Sequence, residues 1–290
     1  ISSWDVSNVT NIGAIFAGVA FLSMNASAFA DEVDDYVLRQ MAAKRIPGAQ
    51  LAVVQNNRIV KTANYGIANI QDAVPVKDET VFTINSMTKS FVGVAVMQLV
   101  EAGKIKLDAA ISTYLPDLPG SWQAVTVEQL LTHTSGLPKI MGNGVQLISS
   151  EGEDASWQLV QQLPLESAAD TRFSYNQTNY LLIGKIIDKV SGQPFVEFIQ
   201  ENQLQRVGMK KTAAAGFAHF EDVIPHQARG YTYYQTGKLT TATALFTPGL
   251  RAAAGMSSSA GEIASWLIAL QTGKLLEDPS SVATLWTPAV

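Results

Sequence analysis

Residues 86–101 read Ser-Met-Thr-Lys-Ser-Phe-Val-Gly-Val-Ala-Val-Met-Gln-Leu-Val-Glu, with Lys89 the one charge before Glu101. Phe91, Val94, Ala95, Leu99 and Val100 fall at helical spacing and Gly103 supplies a stop, so the pattern predicts a strongly apolar helix. Such a helix has to be covered by other elements of the same chain. The material is there: of 290 residues, 47% are hydrophobic and 16% charged. That supports a substantial core and excludes a disordered chain.

Composition removes several classes of function. Lys plus Arg is 20 and Asp plus Glu 25, a formal charge of −5. A chain of this balance lacks the general basic character that phosphate backbones demand, so no nucleic-acid partner is expected. There is no cysteine, which rules out thiol nucleophiles, disulfides and thiolate metal sites. The three histidines, His133, His219 and His226, have no helical metal-ligand spacing. No metal and no organic cofactor is expected. Neither a Gly-x-Ser-x-Gly elbow nor a Lys-Ser/Thr phosphate loop occurs.

Residues 12–24 form an uncharged, mostly apolar run, shorter than the roughly twenty residues a membrane span needs. Ala28-Phe29-Ala30 follows with the small-x-small form of a signal-peptidase site, and charge begins at Asp31. Residues 12–30 are therefore expected to be a secretory leader, the mature protein periplasmic or secreted with no stable membrane span. The alternative is a buried helix. Residues 1–11 contain Trp4-Asp5-Val6-Ser7-Asn8-Val9-Thr10, which resembles one unit of a bacterial surface repeat. A single unit cannot fold as a solenoid, and no function is assigned to it.

From Asp31 one continuous domain, 31–290, is expected. Residues 31–43 read as a helix through Val33, Val37 and Met41. Residues 49–55 and 58–65 read as a hairpin around Asn56-Asn57. Thr126-x-x-Gln129 and Ser259-x-x-Glu262 read as capping boxes. Residues 178–190 read as a helix closed by Gly192.

The chemistry centres on Asn85-Ser86-Met87-Thr88-Lys89-Ser90, which holds the chain's one Ser-x-x-Lys. On a helix, residues three apart share a face, which suits a nucleophile and its proton acceptor. A serine hydroxyl needs an adjacent base, and a lysine needs its pKa lowered by burial or a positive field. The helix start also aims N–H groups at a developing oxyanion. The bland alternative is an ordinary helix start with Ser86 as N-cap and Lys89 in water. The second segment is Phe173-Ser174-Tyr175-Asn176-Gln177-Thr178-Asn179-Tyr180. Tyr175 is either a general base stabilised as phenolate by a cation, or an aromatic packed beneath a helix start.

Together these segments resemble the serine β-lactamase-related family: class C β-lactamases, penicillin-binding DD-peptidases, D-amino-acid amidases and secreted esterases. Arg45-Ile46-Pro47-Gly48, Leu130-Leu131-Thr132-His133-Thr134-Ser135-Gly136-Leu137-Pro138 and Ala253-Ala254-Gly255-Met256-Ser257-Ser258 add matches in the family's order. The resemblance implies an α+β fold of β-lactamase/transpeptidase type, an antiparallel sheet flanked by helices with a mostly helical subdomain. It implies that Ser86 is acylated, that Lys89 is its proton partner, and that Tyr175 is the tyrosine of a Tyr-x-Asn motif. Gln177 stands where that motif has Asn, one methylene longer, and is expected to contact Lys89 or a substrate amide. Ser174-Tyr175-Asn176 also fits an alternative Ser-x-Asn register. His133 is expected to pack or hydrogen-bond within its own turn. The family's late Lys-Thr-Gly or His-x-Gly is not found here, and the closing strands are expected beyond Val290.

The implied activity is hydrolysis of an amide, β-lactam or ester, with a small molecule or peptide as substrate. The alternative is a non-catalytic protein that binds penicillins or peptidoglycan peptides. The oligomeric state is not legible.

Overall fold

The computed structural model describes residues 26–141, 153–218, 222–233, 237–242 and 247–288. Residues 1–25, which include most of the expected leader and the repeat-like segment, lie outside the described residues.

The first helix, α1, spans Ala26–Lys44, beginning before the expected Asp31. Its Asp34 carboxylate accepts from Lys61 Nζ at 2.7 Å and from the Tyr65 hydroxyl, tying α1 to the strand that follows. Strands β1 (Gly48–Gln55) and β2 (Arg58–Asn69) form the expected antiparallel hairpin, with a bulge between Val53 and Val54. Asn56 and Asn57 both have positive φ, 50° and 57°. Two left-handed residues give the tight turn that matches strand twist, and Asn tolerates them well. The sheet has a third strand that the sequence reading did not anticipate: β3 (Val74–Pro75) pairs with β2, in the order β1-β2-β3.

Strand β4 (Phe82–Thr83) leads into a 3₁₀ turn, Asn85–Met87, and then α2 (Thr88–Glu101). Helix α2 is the centre of the core: Phe91, Val92, Val94, Ala95, Val96, Met97 and Leu99 are all buried. Short α3 (Val127–Leu131) opens on the complete Thr126–Gln129 capping box. After α4 (Glu153–Gln162), α5 (Gln177–Ser191) packs on α2 and α3. The Asn176 side chain caps α5 by accepting from the Thr178 N–H, and Gly192 ends it in a left-handed conformation.

Next, α6 (Phe195–Ile199), a π-helical stretch Gln200–Leu204 and α7 (Gln205–Val207) run on continuously. The buried Gln203 side chain there bridges the core, donating to Phe91 O at 2.8 Å and accepting from Trp266 Nε1 at 3.0 Å. Helix α8 (Lys210–Ala215) precedes a small hairpin, β5 (Gly230–Thr232) with β6 (Thr240–Ala242).

Helix α9 (Arg251–Ala254) and strand β7 (Ser257–Ser258) follow; β7 pairs with β4 through Phe82–Ser258 and Thr83–Ser257. Helix α10 (Ala260–Gln271) packs across β1 and β2, and α11 (Pro279–Trp286) lies on α2. The second expected capping box is half formed. Ser259 Oγ accepts from the Glu262 N–H, but the Glu262 carboxylate turns to the Lys211 and Thr212 N–H groups and the Thr212 hydroxyl.

The architecture is α+β: antiparallel strands carried by an otherwise helical body. None of the described helices is long and apolar enough to cross a membrane.

Candidate active site

The turn that carries Ser86 is fixed from both sides. Asn85 adopts a left-handed φ of 47°, which Asn accommodates more readily than most residues. Ile84 N–H donates to Met256 O at 2.9 Å, and Met256 N–H donates back to Thr88 Oγ1 at 3.2 Å. The β4–β7 ladder thus anchors the start of α2. Ser86 is exposed and Lys89, one turn on, is buried, with 8% of its surface accessible. Ser86 is not the N-cap: the residue before the 3₁₀ turn is Ile84 and the one before α2 is Met87.

Lys89 Nζ donates to Ser86 Oγ at 3.3 Å and to Ala253 O, at the end of α9, at 2.7 Å. The ammonium also sits 4.9 Å from the Tyr175 ring centroid and 5.1 Å from that of Tyr180, so aromatic faces contribute to holding it. Gly184 lets α5 and α9 approach closely: a Cβ there would lie 3.1 Å from Ala252 Cβ. That approach helps set the Ala253 carbonyl beside Lys89.

Tyr175 stands just before α5, and its hydroxyl donates to Ser86 Oγ at 2.7 Å. Ser174 Oγ instead lies 3.5 Å from a Glu166 oxygen, and the Asn176 amide donates to Leu137 O at 2.7 Å. It is the tyrosine of this segment that reaches Ser86. Gln177 is the first residue of α5, and its side chain helps lower the Tyr175 pKa. Its Oε1 is buried without a hydrogen-bond partner among the described residues.

Burial pushes Lys89 below the ordinary lysine range, against the opposing pull of Tyr175. Burial alone would raise Tyr175. Its interactions with Lys89 and Ser86, the Lys89 charge and the Gln177 side chain outweigh burial and bring the phenol below its usual value. A lysine that loses its proton more readily and a phenol that ionises more readily both face one exposed hydroxyl. An arrangement of this kind is suited to taking a proton from Ser86.

Behind Tyr175 lies His133, 7% exposed. Its ring lies tilted against those of Tyr175 and Tyr180, centroids 4.5 and 5.3 Å away, and edge-on to that of Phe173 at 5.8 Å. Burial first, then the Lys89 charge, lowers its pKa to about 4, so it is neutral at pH 7. Sequence reasoning missed the Ala253 carbonyl as the Lys89 acceptor, since a backbone oxygen leaves no residue-type signal. It also read His133 as local packing, although the ring spans to the tyrosine segment. Among the described residues no group of three or more His, Cys, Asp or Glu side chains is placed to hold a metal ion.

A family model described as Beta-lactamase matches residues 33–289. The chain belongs to the beta-lactamase family. This family member is 26% identical to Protein flp of Staphylococcus aureus (strain MW2) over 208 residues, which span 69% of this chain and 42% of flp. It is 32% identical over 180 residues to the putative penicillin-binding protein PbpX of Bacillus subtilis (strain 168), covering 62% of this chain and 44% of PbpX. The chain therefore spans less than half the length of these curated relatives.

Solved structures show the same fold. The octameric penicillin-binding protein homologue from Pyrococcus abyssi superposes with a TM-score of 0.72 at 27% identity, covering 88% of this chain and 59% of that one. A class C beta-lactamase superposes with a TM-score of 0.74 at 24% identity, covering 91% and 70%. The fold of this beta-lactamase family member is thus of β-lactamase/transpeptidase type.

Proposed function

We propose that this beta-lactamase family member is a serine hydrolase that cleaves an amide, β-lactam or ester through an acyl-enzyme on Ser86. The observation that carries the reading is the convergence of Tyr175 and Lys89 on the exposed Ser86 Oγ, at 2.7 and 3.3 Å.

The Tyr175 phenolate, held by the Lys89 ammonium, takes the Ser86 proton as Oγ attacks the substrate carbonyl carbon. The carbon–leaving-group bond breaks, and the leaving nitrogen or oxygen receives that proton. Water then attacks the ester, gives its proton to the same phenolate, and Ser86 leaves with it. Ser86 lies in the first turn, where backbone N–H groups have no intrahelical partner, so its own N–H is available to the oxyanion. The expected leader would place this chemistry outside the cytoplasm. The name of PbpX, a putative penicillin-binding protein, supports a substrate of β-lactam type.

A second reading is a binding protein that is acylated but does not release product. It is favoured by Gln177, which stands where the motif has Asn and whose Oε1 is buried without a hydrogen-bond partner among the described residues. The test is hydrolysis of nitrocefin and of a p-nitrophenyl ester by the wild type and by Ser86→Ala. Steady turnover lost in Ser86→Ala supports the hydrolase. A stoichiometric burst with no turnover favours the binding protein. Equal hydrolysis by both proteins refutes a serine mechanism at this site.

A further inference from the structure

One residue outside the proton-transfer group holds the Tyr175 segment at three points. The His133 carbonyl accepts from the Ser174 N–H at 2.8 Å. Its ring Nδ1 accepts from the Asn176 N–H at 3.2 Å. Its ring centroid lies 4.5 Å from that of Tyr175, the two planes tilted by 46°. The residues immediately before and after Tyr175 are thus both bonded to His133, and the side chain between them rests on its ring. His133 is itself fixed by a left-handed φ of 60°. Asn179 Nδ2 approaches the same Nδ1 at 3.3 Å, and Asn179 Oδ1 accepts from Ser135 Oγ at 2.8 Å.

These contacts determine the state of the imidazole. A backbone N–H can only donate, so Nδ1 must carry a lone pair and the ring proton belongs on Nε2. The Asn179 orientation agrees, because its oxygen is already used by Ser135. The groups facing this ring are Lys89 as the charge, Tyr175 and Tyr180 as phenols, and the neutral Phe173, Asn176 and Asn179.

We propose that His133, as the neutral Nε2–H tautomer, is a positioning residue that holds the Tyr175 hydroxyl on Ser86. Its kinetic consequence rests on the acyl-transfer reading. A proton acceptor must stay within hydrogen-bond reach of the hydroxyl it serves, and a displacement of about 1 Å costs about 10²-fold in rate. Protonation of His133, or the Nδ1–H tautomer, would set a donor against the Asn176 N–H and break the grip.

The test uses His133→Ala and His133→Asn, the latter retaining a residue that tolerates positive φ. Each is made with Tyr175 and with Tyr175→Phe, and Ser86 labelling by a fluorophosphonate is timed. With Tyr175 present, His133→Ala is expected to slow labelling about 10²-fold, and His133→Asn less. In Tyr175→Phe neither substitution should slow it further, because the effect runs through Tyr175. The same factor in both backgrounds, or no slowing in either, overturns the proposal. ¹⁵N NMR of the wild type needs no variant: Nδ1 should show the shift of an unprotonated acceptor at pH 7, and a protonated Nδ1 overturns the proposal even if the variants do not fold. If wild-type Ser86 is never labelled, the acyl-transfer reading fails, while the ¹⁵N result still judges the grip on Tyr175.

Discussion

The Tyr175 hydroxyl lies closer to Ser86 Oγ than the Lys89 ammonium does, 2.7 Å against 3.3 Å. Lys89 is buried and bound to a backbone carbonyl, whereas Tyr175 is 41% exposed at the mouth of the site. In the proposed mechanism the two groups divide the work: Tyr175 would exchange the proton with Ser86, and Lys89 would supply the charge that favours the phenolate.

Tyr175→Phe is expected to reduce acylation by about 10²–10⁴ while leaving thermal stability nearly unchanged, because only one hydroxyl of a partly exposed residue is removed. Ester hydrolysis and a thermal melt on the same preparation check this. A matching loss in both would make Tyr175 a structural residue.

Lys89→Ala is expected to abolish turnover, again by about 10²–10⁴, with the fold retained, since Ala suits a helix and the lost ammonium was held in a buried place. Removing its charge should also raise the His133 pKa from about 4, because Lys89 is one of the two causes that depress it. A histidine ¹⁵N or ¹H titration of the variant measures that shift. No upward movement would mean that burial alone sets it.

Stability should fall on mild acidification. Folded His133 stays neutral down to about pH 4, whereas an unfolded histidine titrates near 6.5. Between those values the unfolded chain binds the extra proton, so unfolding free energy rises with pH, by at most about 1.4 kcal/mol per unit from this one group. Urea unfolding at about pH 5 and about pH 7 measures the slope, and His133→Asn should flatten it. An unchanged slope in the variant would assign the acid sensitivity to other groups.

Gly136→Ala is expected to destabilise the protein by more than about 1 kcal/mol and to lower activity with it. Gly136 has a φ of 67°, and a methyl there would run into the Ser167 carbonyl. The strain falls three residues from His133, in the segment that holds Tyr175. Chemical denaturation combined with Ser86 labelling rates checks both effects.

What was legible in the sequence was local. Helical periodicity marked α2, Asn56-Asn57 marked the hairpin turn, and Thr126 with Gln129 marked the start of α3, because each signal lies within a few residues. The Ser86–Lys89 pair was visible for the same reason, being one helical turn. Strand β3 was not, since Val74–Pro75 is two residues long and contains a proline. Glu262 completes no capping box because the Lys211 and Thr212 N–H groups, distant in sequence, compete for its carboxylate. The Lys89–Ala253 bond joins residues 164 apart through a carbonyl that any residue type could supply. The His133 grip on Tyr175 likewise depends on where two loops meet. Local spacing therefore exposed the Ser86–Lys89 pair, and tertiary packing decides how Lys89 and Tyr175 are held.

The central claim is that Ser86 is the residue that becomes acylated. Treating the protein with a fluorophosphonate and with a labelled penicillin, then mapping the adduct by peptide mass spectrometry, tests it most directly. The account predicts a single adduct on Ser86, formed much more slowly in Tyr175→Phe and Lys89→Ala. An adduct on Ser135 or Ser257, or a rate on Ser86 that neither substitution changes, would contradict it.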